Sequence, residues 1–352
     1  MLQLLFPRPL LTTTSAHLIS LAFACAYVGS IYLSKNARLS FSKRAPRISN
    51  MNDEGSLQER NRLRNERWRD DPDVIRARLL AVSVATLLCC TGVFGVLWWQ
   101  VGAETRYLDI AIEATFLRLG LFFFVQLPQS LQSLIANPLP NILPHLVAPV
   151  LFLGPLYGSF LGGELPGQRN WFWRTHVVAR FCSIQGIRNY TVAPLTEELV
   201  FRGCVLAVYH LSGTGKGKMV FLTPLTFGLA HVHHAWDTYN RYGRTGPAAK
   251  RAIISSLFQL AYTSLFGFHV AYIFLRTGSL LPSISGHVFC NLMGLPEIAY
   301  ELRRYPKRRK VIITMYLLGI AGYIYVLPRW TQTEANFYWP REGDEAYVYG
   351  KY

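Results

Sequence analysis

Nine long stretches of apolar residues divide this sequence, and they limit what it can fold into more than any other feature. Two of them, residues 16–33 and 79–101, contain no charged side chain. The others cover residues 107–127, 142–161, 190–209, 219–235, 252–275, 279–300 and 311–327. Each is close to the roughly 17–25 residues that a helix needs to cross a bilayer. Only helices and closed β-barrels satisfy their backbone hydrogen bonds within lipid, and these stretches lack the strict alternation of apolar and polar residues found in barrel strands. We therefore predict an all-α, polytopic membrane helix bundle.

The charge of the chain fits membrane-flanking loops better than a nucleic-acid surface. Lys and Arg number 36 against 20 Asp and Glu, which gives a formal net charge of +16. A basic nucleic-acid-binding protein does not require so many apolar segments of membrane-spanning length, so a nucleic-acid-binding protein is excluded. The basic residues concentrate in four loops, residues 35–78, 166–188, 236–251 and 301–310. The positive-inside rule predicts that all four loops face the cytosol.

The order of these loops sets the predicted number of spans. Two apolar segments separate the second loop from the third, and two separate the third from the fourth, which keeps these three loops on one side of a membrane. Three segments separate the first loop from the second, so one of the three does not cross fully. Residues 107–127 are the best candidate, because they contain Asp109, Glu113 and Arg118. We therefore predict about eight transmembrane helices.

Four regions are expected along the chain. Residues 1–78 form an N-terminal anchor helix and a basic cytosolic loop, whose residues 40–73 are polar and partly helical or disordered. Residues 79–186 form transmembrane helices and an interfacial helix. Residues 187–327 form the core that carries the polar motifs, and residues 328–352 form a polar tail. The N-terminus faintly resembles a mitochondrial presequence, but its first apolar stretch is not amphipathic, so an uncleaved anchor is predicted.

The apolar segment 190–209 carries three ionisable side chains, Glu197, Glu198 and Arg202. A charge within the hydrocarbon region costs roughly 2.5–3.5 kcal/mol on insertion scales, so such a residue is a functional candidate by default. Glu198 and Arg202 are four residues apart on one helical face and can form an ion pair. Glu197 points about 100° away from that face and is left without this partner. The alternative is that both carboxylates hold helices together through salt bridges.

Two further segments carry histidine and asparagine. His231 lies inside residues 219–235, and His233 and His234 approach the polar end of that segment. His287 and Asn291 lie four residues apart, so both can direct hydrogen-bond donors at one point. For each of these residues the alternative is an ordinary hydrogen bond between helices.

Together these residues predict hydrolytic chemistry. A carboxylate without a committed partner, two histidines and an amide can activate water and bind an oxyanion. A zinc site made from Glu197, His231 and His287 is also chemically possible, because Glu and His are both zinc ligands. The sequence contains neither a Gly-x-Ser-x-Gly elbow nor a His-Glu-x-x-His zinc helix.

Three motifs resemble those of the type 2 CAAX prenyl proteases, the Ras-converting CAAX endopeptidase family, and its eukaryotic branch in particular. They are Glu-Glu-x-x-x-Arg at Glu197, Glu198 and Arg202, Phe-x-x-x-His at Phe227 and His231, and His-x-x-x-Asn at His287 and Asn291. They span residues 197–291, about a quarter of the chain. Each motif alone is weak, but three in this order, each inside a predicted membrane helix, are specific.

The resemblance implies an intramembrane endopeptidase of the endoplasmic reticulum membrane. Its reaction would remove the aaX tripeptide from prenylated CAAX proteins such as Ras-like small GTPases. The roles it implies are activation of the attacking water by Glu197 and His231, an oxyanion hole formed by His287 and Asn291, and orientation of these groups or the substrate by Glu198 and Arg202. The site would lie in a water-accessible cavity open to the cytosol.

The same resemblance implies a glutamate-type protease without a metal cofactor. Its partners would be prenylated CAAX-tailed proteins and the lipid bilayer, with no nucleic acid. Two alternatives stay open. One is a zinc-dependent intramembrane metalloprotease that uses the same residues, and the other is a non-enzymatic scaffold or transporter of the same superfamily.

Overall fold

The computed structural model describes residues 6, 8–42, 59–121, 132, 135, 138–333 and 336–340. These residues form helices and loops, with one isolated antiparallel bridge between Ser40 and Arg67, so the predicted all-α class is confirmed. The helices are α1 (Thr13–Leu33), α2 (Pro72–Gln100), α3 (Leu108–Arg118), α4 (Pro138–Leu151), α5 (Leu153–Gly162), α6 (residues 174–181), α7 (residues 184–211), α8 (Lys216–Phe221), α9 (Thr223–Leu229), α10 (His234–Arg241), α11 (Gly246–Thr277), α12 (Leu280–Met293), α13 (Ile298–Arg304) and α14 (Arg309–Trp330).

Four of the described helices are long and apolar enough to cross a membrane. They are α1, α2, α11 and α14, the last counted from Pro306. A fifth span is present if α4 and α5 form one crossing, although the chain bends by 73° between them. The chain is thus a multi-pass membrane protein. The number eight stays a prediction, because the apolar stretches 219–235 and 279–300 are each divided into shorter helices.

Local sequence signals set the boundaries of the spanning helices. The Thr12 hydroxyl accepts a hydrogen bond from the backbone N–H of Ser15 at 3.1 Å and so caps the start of α1. α11 ends at Gly278, whose φ of +64° is the left-handed conformation that favours glycine. α12 then runs back along α11, and the Ser283 hydroxyl donates to the Val270 carbonyl at 3.3 Å.

Helix α7 is the centre of the bundle. Every residue from position 200 to position 211 is buried, as expected for a helix that is apolar on all sides and surrounded by others. α1, α2, α11 and α12 all pack against it. Two π-helical segments, Arg188–Val192 and Leu199–Cys204, flank the α-helical segment Ala193–Glu198. π segments occur frequently at functional sites, so this part of α7 is a candidate functional site.

One end of the bundle, which we call the basic end, is formed by residues 59–71, the start of α7 and the C-terminus of α10. The backbone N–H of Arg60 donates to the carbonyl of Arg241 at 3.0 Å. Arg188 forms an ion pair with Asp70 at 3.0 Å. Residues of the first three basic loops therefore meet at one end, as loops on one side of a membrane must.

The short helix α3 explains how the first and second basic loops reach the same end. α2 leads away from the basic end, and the 11 residues of α3 cover only about 16 Å, about half the hydrocarbon thickness. The end of α3 is held at the opposite end of the bundle. There the Gly120 carbonyl accepts from the backbone N–H of Leu280 at 3.0 Å, and the Tyr338 hydroxyl donates to the Arg118 carbonyl at 2.6 Å. The described part of residues 107–127 does not cross, and residues 122–127 lie outside the described residues.

Glu66 organises the described part of the N-terminal loop, residues 59–71. Its carboxylate accepts hydrogen bonds from the Arg60 guanidinium at 2.7 and 2.9 Å, from the Trp68 indole at 3.1 Å, and from two backbone N–H groups. The side chains of Arg60 and Glu66 are 2% and 1% exposed. Residues 40–73 were predicted to be polar and partly helical or disordered, and residues 43–58 of that range lie outside the described residues. Residues 59–71 contain no helix and fold onto the protein, where the buried ion pair holds them.

Candidate active site

His287 lies between the two adjacent glutamates of α7. Its Nδ1 is 2.7 Å from Oε1 of Glu198, and its Nε2 is 3.8 Å from Oε2 of Glu197. A carboxylate accepts hydrogen bonds and does not donate them when ionised, so Nδ1 carries a proton and donates to Glu198. The other ring nitrogen is then the one that approaches Glu197. The packing of α12 on α7 thus places one imidazole against two carboxylates.

The predicted ion pair between Glu198 and Arg202 is confirmed. Oε2 of Glu198 is 3.2 Å from Nε of Arg202, and the two side chains are 0% and 1% exposed. The guanidinium also lies 4.3 Å from the ring centroid of Phe227 and 5.7 Å from that of Phe266. Aromatic faces attract a cation, and the attraction is stronger where water is absent. Arg202, Glu198 and His287 therefore form one buried chain of charged and polar groups.

His231 lies in the turn between α9 and α10, residues 230–233. Its Nδ1 is 2.8 Å from the carbonyl of Phe227. Since a carbonyl only accepts, Nδ1 is the protonated nitrogen and Nε2 holds the lone pair that a general base needs. The imidazole packs edge-on against the Phe227 ring at 4.7 Å. The end of α9 thus fixes both the tautomer and the orientation of this histidine.

Glu197 and His231 line the same cavity, which has a volume of about 150 Å³. A water molecule occupies about 30 Å³ in the liquid, so the cavity has room for several. The Glu197 side chain is 19% exposed, whereas that of Glu198 is 0% exposed. Of the two neighbouring carboxylates, Glu197 is therefore the one that solvent reaches. A water molecule bound between a carboxylate and an imidazole can lose its proton to either group.

Asn291 lies one helical turn beyond His287 on α12. Its side chain is exposed, and its Nδ2 donates to the backbone carbonyl of Asn189 at 2.8 Å. Asn189 lines the cavity that holds Glu197 and His231, but Asn291 and His287 are not among the residues that line it. An amide nitrogen carries two hydrogens, so one remains for another acceptor.

The other two histidines of the second cluster, His233 and His234, also line the cavity. The Nδ1 of His233 is 2.7 Å from the carbonyl of Ala230, an interaction within the same turn. Among the described residues, no three His, Cys, Asp or Glu side chains form a group that could hold a metal ion. Glu197, His231 and His287, the zinc ligands considered from the sequence, are therefore not arranged as such a group.

Several residues of the cavity were not predicted from the sequence. Arg69, Arg78, Arg188 and Tyr27 all line it. The arginines were assigned to basic loops that set topology, and Tyr27 lay within the predicted anchor helix. Only Arg78 could have been identified from the sequence as a candidate for the cavity wall, because it directly precedes an uncharged apolar stretch. Nothing local distinguishes Arg69 from the other arginines of its loop.

The fold and the site define a multi-pass membrane enzyme with a carboxylate and histidine centre at the middle of the bundle. Residues 179–293 match the model of the family described as "Type II CAAX prenyl endopeptidase Rce1-like". The chain is 31% identical to CAAX prenyl protease 2 of Homo sapiens over 323 residues, which cover 87% of this chain and 78% of the relative. It is also 31% identical to the probable CAAX prenyl protease 2 of Schizosaccharomyces pombe over 253 residues, or 72% and 79% of the two chains.

A third relative, CAAX prenyl protease 2 of Arabidopsis thaliana, is 36% identical over 140 residues, which cover 40% of this chain and 42% of the relative. No solved structure gives a significant match. The chain belongs to the type II CAAX prenyl endopeptidase family and is an enzyme that acts on peptide bonds. The resemblance seen in the three sequence motifs is thereby confirmed.

Proposed function

We propose that this enzyme removes the C-terminal aaX tripeptide from prenylated CAAX proteins, Ras-like small GTPases among them. The names of its relatives support this substrate class. The observation that carries the proposal is the shared cavity of Glu197 and His231, beside an imidazole held between two carboxylates. That arrangement has the groups that peptide hydrolysis needs, a base for water and donors for an oxyanion.

In the proposed mechanism, Glu197 and His231 take a proton from a water molecule in the cavity. The water oxygen attacks the carbonyl carbon of the prenylated cysteine, and the carbonyl oxygen becomes an oxyanion. His287, in its doubly protonated form, and the free amide hydrogen of Asn291 donate hydrogen bonds to that oxyanion. The C–N bond then breaks, and the proton taken from water passes to the leaving amine of the tripeptide.

Glu198 and Arg202 act through His287 in this proposal. The 2.7 Å hydrogen bond from Nδ1 to Glu198 fixes the orientation of the ring. Arg202 balances the charge of Glu198, which has no exposed surface. These two residues are therefore positioning residues, and a substrate contact is not needed to explain them.

We further propose an endoplasmic reticulum location with about eight spans and a cavity that opens to the cytosol. Residues of three basic loops meet at the basic end, and the positive-inside rule favours the cytosol for such loops. Arg69 and Arg188 belong to that end and also line the cavity. Prenylated tails would then arrive from the side where the site is accessible.

The proposal is tested by cleavage of a farnesylated CAAX-tailed peptide by the purified full chain in lipid nanodiscs. Release of the tripeptide, followed by mass spectrometry, is the measurement. Glu197→Gln and His231→Gln should each lower kcat/KM by about 10²-fold or more, the usual contribution of a general base. Glu104→Gln, on the exposed connection between α2 and α3, is the matched control. No cleavage by the wild-type chain would overturn the activity, and unchanged cleavage by both variants would overturn the residue roles.

Independence from a metal is a separate part of the proposal. The alternative, a zinc-dependent protease with the same residues, predicts that exhaustive chelation abolishes cleavage and that added Zn²⁺ restores it. We expect wild-type activity to persist after dialysis against a strong chelator and assay in metal-free buffer. Loss of activity that zinc alone rescues would support the metalloprotease instead.

A further inference from the structure

Three arginines surround the cavity that holds Glu197. They come from different parts of the chain: Arg69 from the N-terminal loop, Arg78 from the first turns of α2, and Arg188 from the start of α7. Cleavage by an activated water requires none of them directly. Their presence in one small cavity therefore calls for a separate explanation.

Two of the three guanidinium groups are bound to the protein itself. Nε of Arg78 donates to the Ala37 carbonyl at 2.8 Å. Arg188 donates to Asp70 at 3.0 Å and to the side chain of Asn189 at 2.8 Å. The Arg69 side chain, in contrast, forms no hydrogen bond or ion pair with any residue that the structure describes, although its backbone carbonyl accepts one from Arg188 at 3.3 Å. Arg69 lines the cavity, so its side chain is available to a ligand.

The charges around the cavity do not balance. Arg188 is paired with Asp70, but Arg69 and Arg78 face a single carboxylate in the cavity wall, that of Glu197, and the histidines are neutral when they act as bases. Like charges in a low-dielectric cavity repel each other, and an anion placed among them relieves that repulsion. Burial and the neighbouring Arg188 lower the pKa of Arg69 from its ordinary value, as expected for a cation in such surroundings. The cavity is thus suited to receive one negative charge.

A CAAX tail supplies one negative charge that every such substrate shares. The isoprenoid is apolar and the peptide bonds are neutral, so that charge is the C-terminal carboxylate. Three extended residues separate it from the scissile bond by about 10 Å. We propose that Arg69, with Arg78 and Arg188 beside it, binds the terminal carboxylate of the substrate. This inference rests on the proposed function and adds the group that the enzyme recognises at the far end of the tripeptide.

Recognition at this point would also set the position of cleavage. An anchored carboxylate places the bond three residues upstream next to Glu197 and His231, whatever the aliphatic side chains between them. Arg suits this role better than Lys, because its planar fork binds both oxygens of a carboxylate. The N-terminal loop, which the sequence suggests only as a topology signal, becomes part of the substrate site.

The test compares two farnesylated peptides that differ only at the C-terminus, one with a free carboxylate and one with a carboxamide. Charge-assisted hydrogen bonds contribute about 1.5–3 kcal/mol, or roughly 10- to 100-fold in kcat/KM. We expect the wild-type chain to prefer the carboxylate by that factor. Arg69→Gln should bring the ratio of the two kcat/KM values close to one, mainly through a higher KM for the carboxylate peptide. Arg69→Lys should recover part of the ratio.

Arg64→Gln is the matched control, because Arg64 is exposed on the same loop and does not line this cavity. It should keep the wild-type ratio. A wild-type chain that cleaves both peptides equally well would overturn the inference, as would an Arg69→Gln variant that keeps the full ratio. An equal loss on both peptides would assign Arg69 to folding or to the transition state and would also overturn it. A wild-type chain that cleaves neither peptide would instead contradict the proposed function.

Discussion

Glu197 and Glu198 are neighbours in the sequence, but α7 places them in different surroundings. Glu198 is fully buried, accepts a hydrogen bond from His287 and forms an ion pair with Arg202. Glu197 is partly exposed and faces the cavity. A buried carboxylate that is paired stabilises its neighbours, whereas an accessible one is able to react with water. The two residues should therefore respond differently to the same substitution.

We predict that Glu198→Gln destabilises the protein much more than Glu197→Gln does. Loss of the Glu198 charge leaves Arg202 buried without its counter-ion, which typically costs about 3–5 kcal/mol. Glu197 is partly exposed, and its ion-pair contact is the longer one to Nε2 of His287 at 3.8 Å, so its substitution should cost less than about 1 kcal/mol. Both variants should lose most of their activity. Unfolding midpoints of the purified variants in detergent, measured beside the cleavage rates, separate the two effects.

A double variant, Glu198→Gln with Arg202→Met, provides the control. Removing both charges takes away the unpaired cation, so much of the lost stability should return. Activity should stay low, because His287 still lacks the carboxylate that orients it. If Glu198→Gln proves as stable as the wild-type chain, the buried pair does not have the structural role described above.

At the scale of helices, the sequence predicted which segments are helical and much less about how they are divided. Apolar length alone indicated the all-α class, and spacing of four residues indicated the Glu198–Arg202 pair. The π segments of α7 were not predicted, because periodicity over a few residues does not distinguish a π turn from an α turn. The division of residues 219–235 was also missed. It depends on the turn at 230–233 that positions His231, which apolar content does not reveal.

The cavity wall shows the same limit for contacts between distant elements. Glu197 and His231 were found because they are polar residues in apolar segments. Arg69 was not, because arginine in a basic loop is the ordinary case. Only the folding of residues 59–71 onto α7 and α10 brings it to the site. Contacts of this kind join residues 118 or more positions apart in the sequence, which no local pattern encodes.

We predict that Glu66 controls the order of that loop. Its carboxylate is buried, which alone would raise its pKa, but hydrogen bonds from Arg60, Ser42, Leu63 and Trp68 lower the pKa to about 2. A carboxyl group with a lowered folded-state pKa stabilises the folded loop above its unfolded pKa of about 4.5, and this contribution is lost as the pH falls towards 2. Glu66→Gln should therefore loosen residues 59–71 even at pH 7.

Hydrogen exchange of backbone amides in residues 59–71 measures this effect. The variant should lose about tenfold or more of the protection seen in the wild-type loop, since a buried Arg60 is left without its partner. Asp73→Asn is the control, because Asp73 is 85% exposed in its ion pair with Arg76. Wild-type protection in Glu66→Gln would contradict the prediction. If Arg69 binds substrate, Glu66→Gln should also raise KM for the carboxylate peptide.

At the scale of the whole molecule, the two ends of the bundle have different character. The basic end carries loops rich in Arg and Lys and the cavity arginines. The contacts that join the opposite end include the backbone hydrogen bond from Leu10 to the Leu211 carbonyl at 2.9 Å and a hydrogen bond from the side-chain amide of Asn336 to the Leu275 carbonyl at 2.7 Å. Leu10, which precedes α1, and Asn336, which follows α14, both lie at this opposite end. Under the positive-inside rule, this asymmetry predicts a membrane orientation.

We predict that the basic end faces the cytosol and that the segment after α14 lies in the lumen of the endoplasmic reticulum. N-glycosylation occurs only in the lumen, so an Asn-x-Thr acceptor within a flexible extension added after Tyr352 should be glycosylated in microsomes. An acceptor created by Arg308→Asn with Lys310→Thr, at the start of α14, should not be. The measurement is a mass shift that an endoglycosidase removes, and cleavage activity of each variant confirms that it is folded. α14 crosses the membrane once between the two acceptor sites. Glycosylation of the Arg308→Asn, Lys310→Thr acceptor alone would therefore place the basic end, with Glu197 and Arg69, on the lumenal side. That result would contradict the proposed route of the substrate.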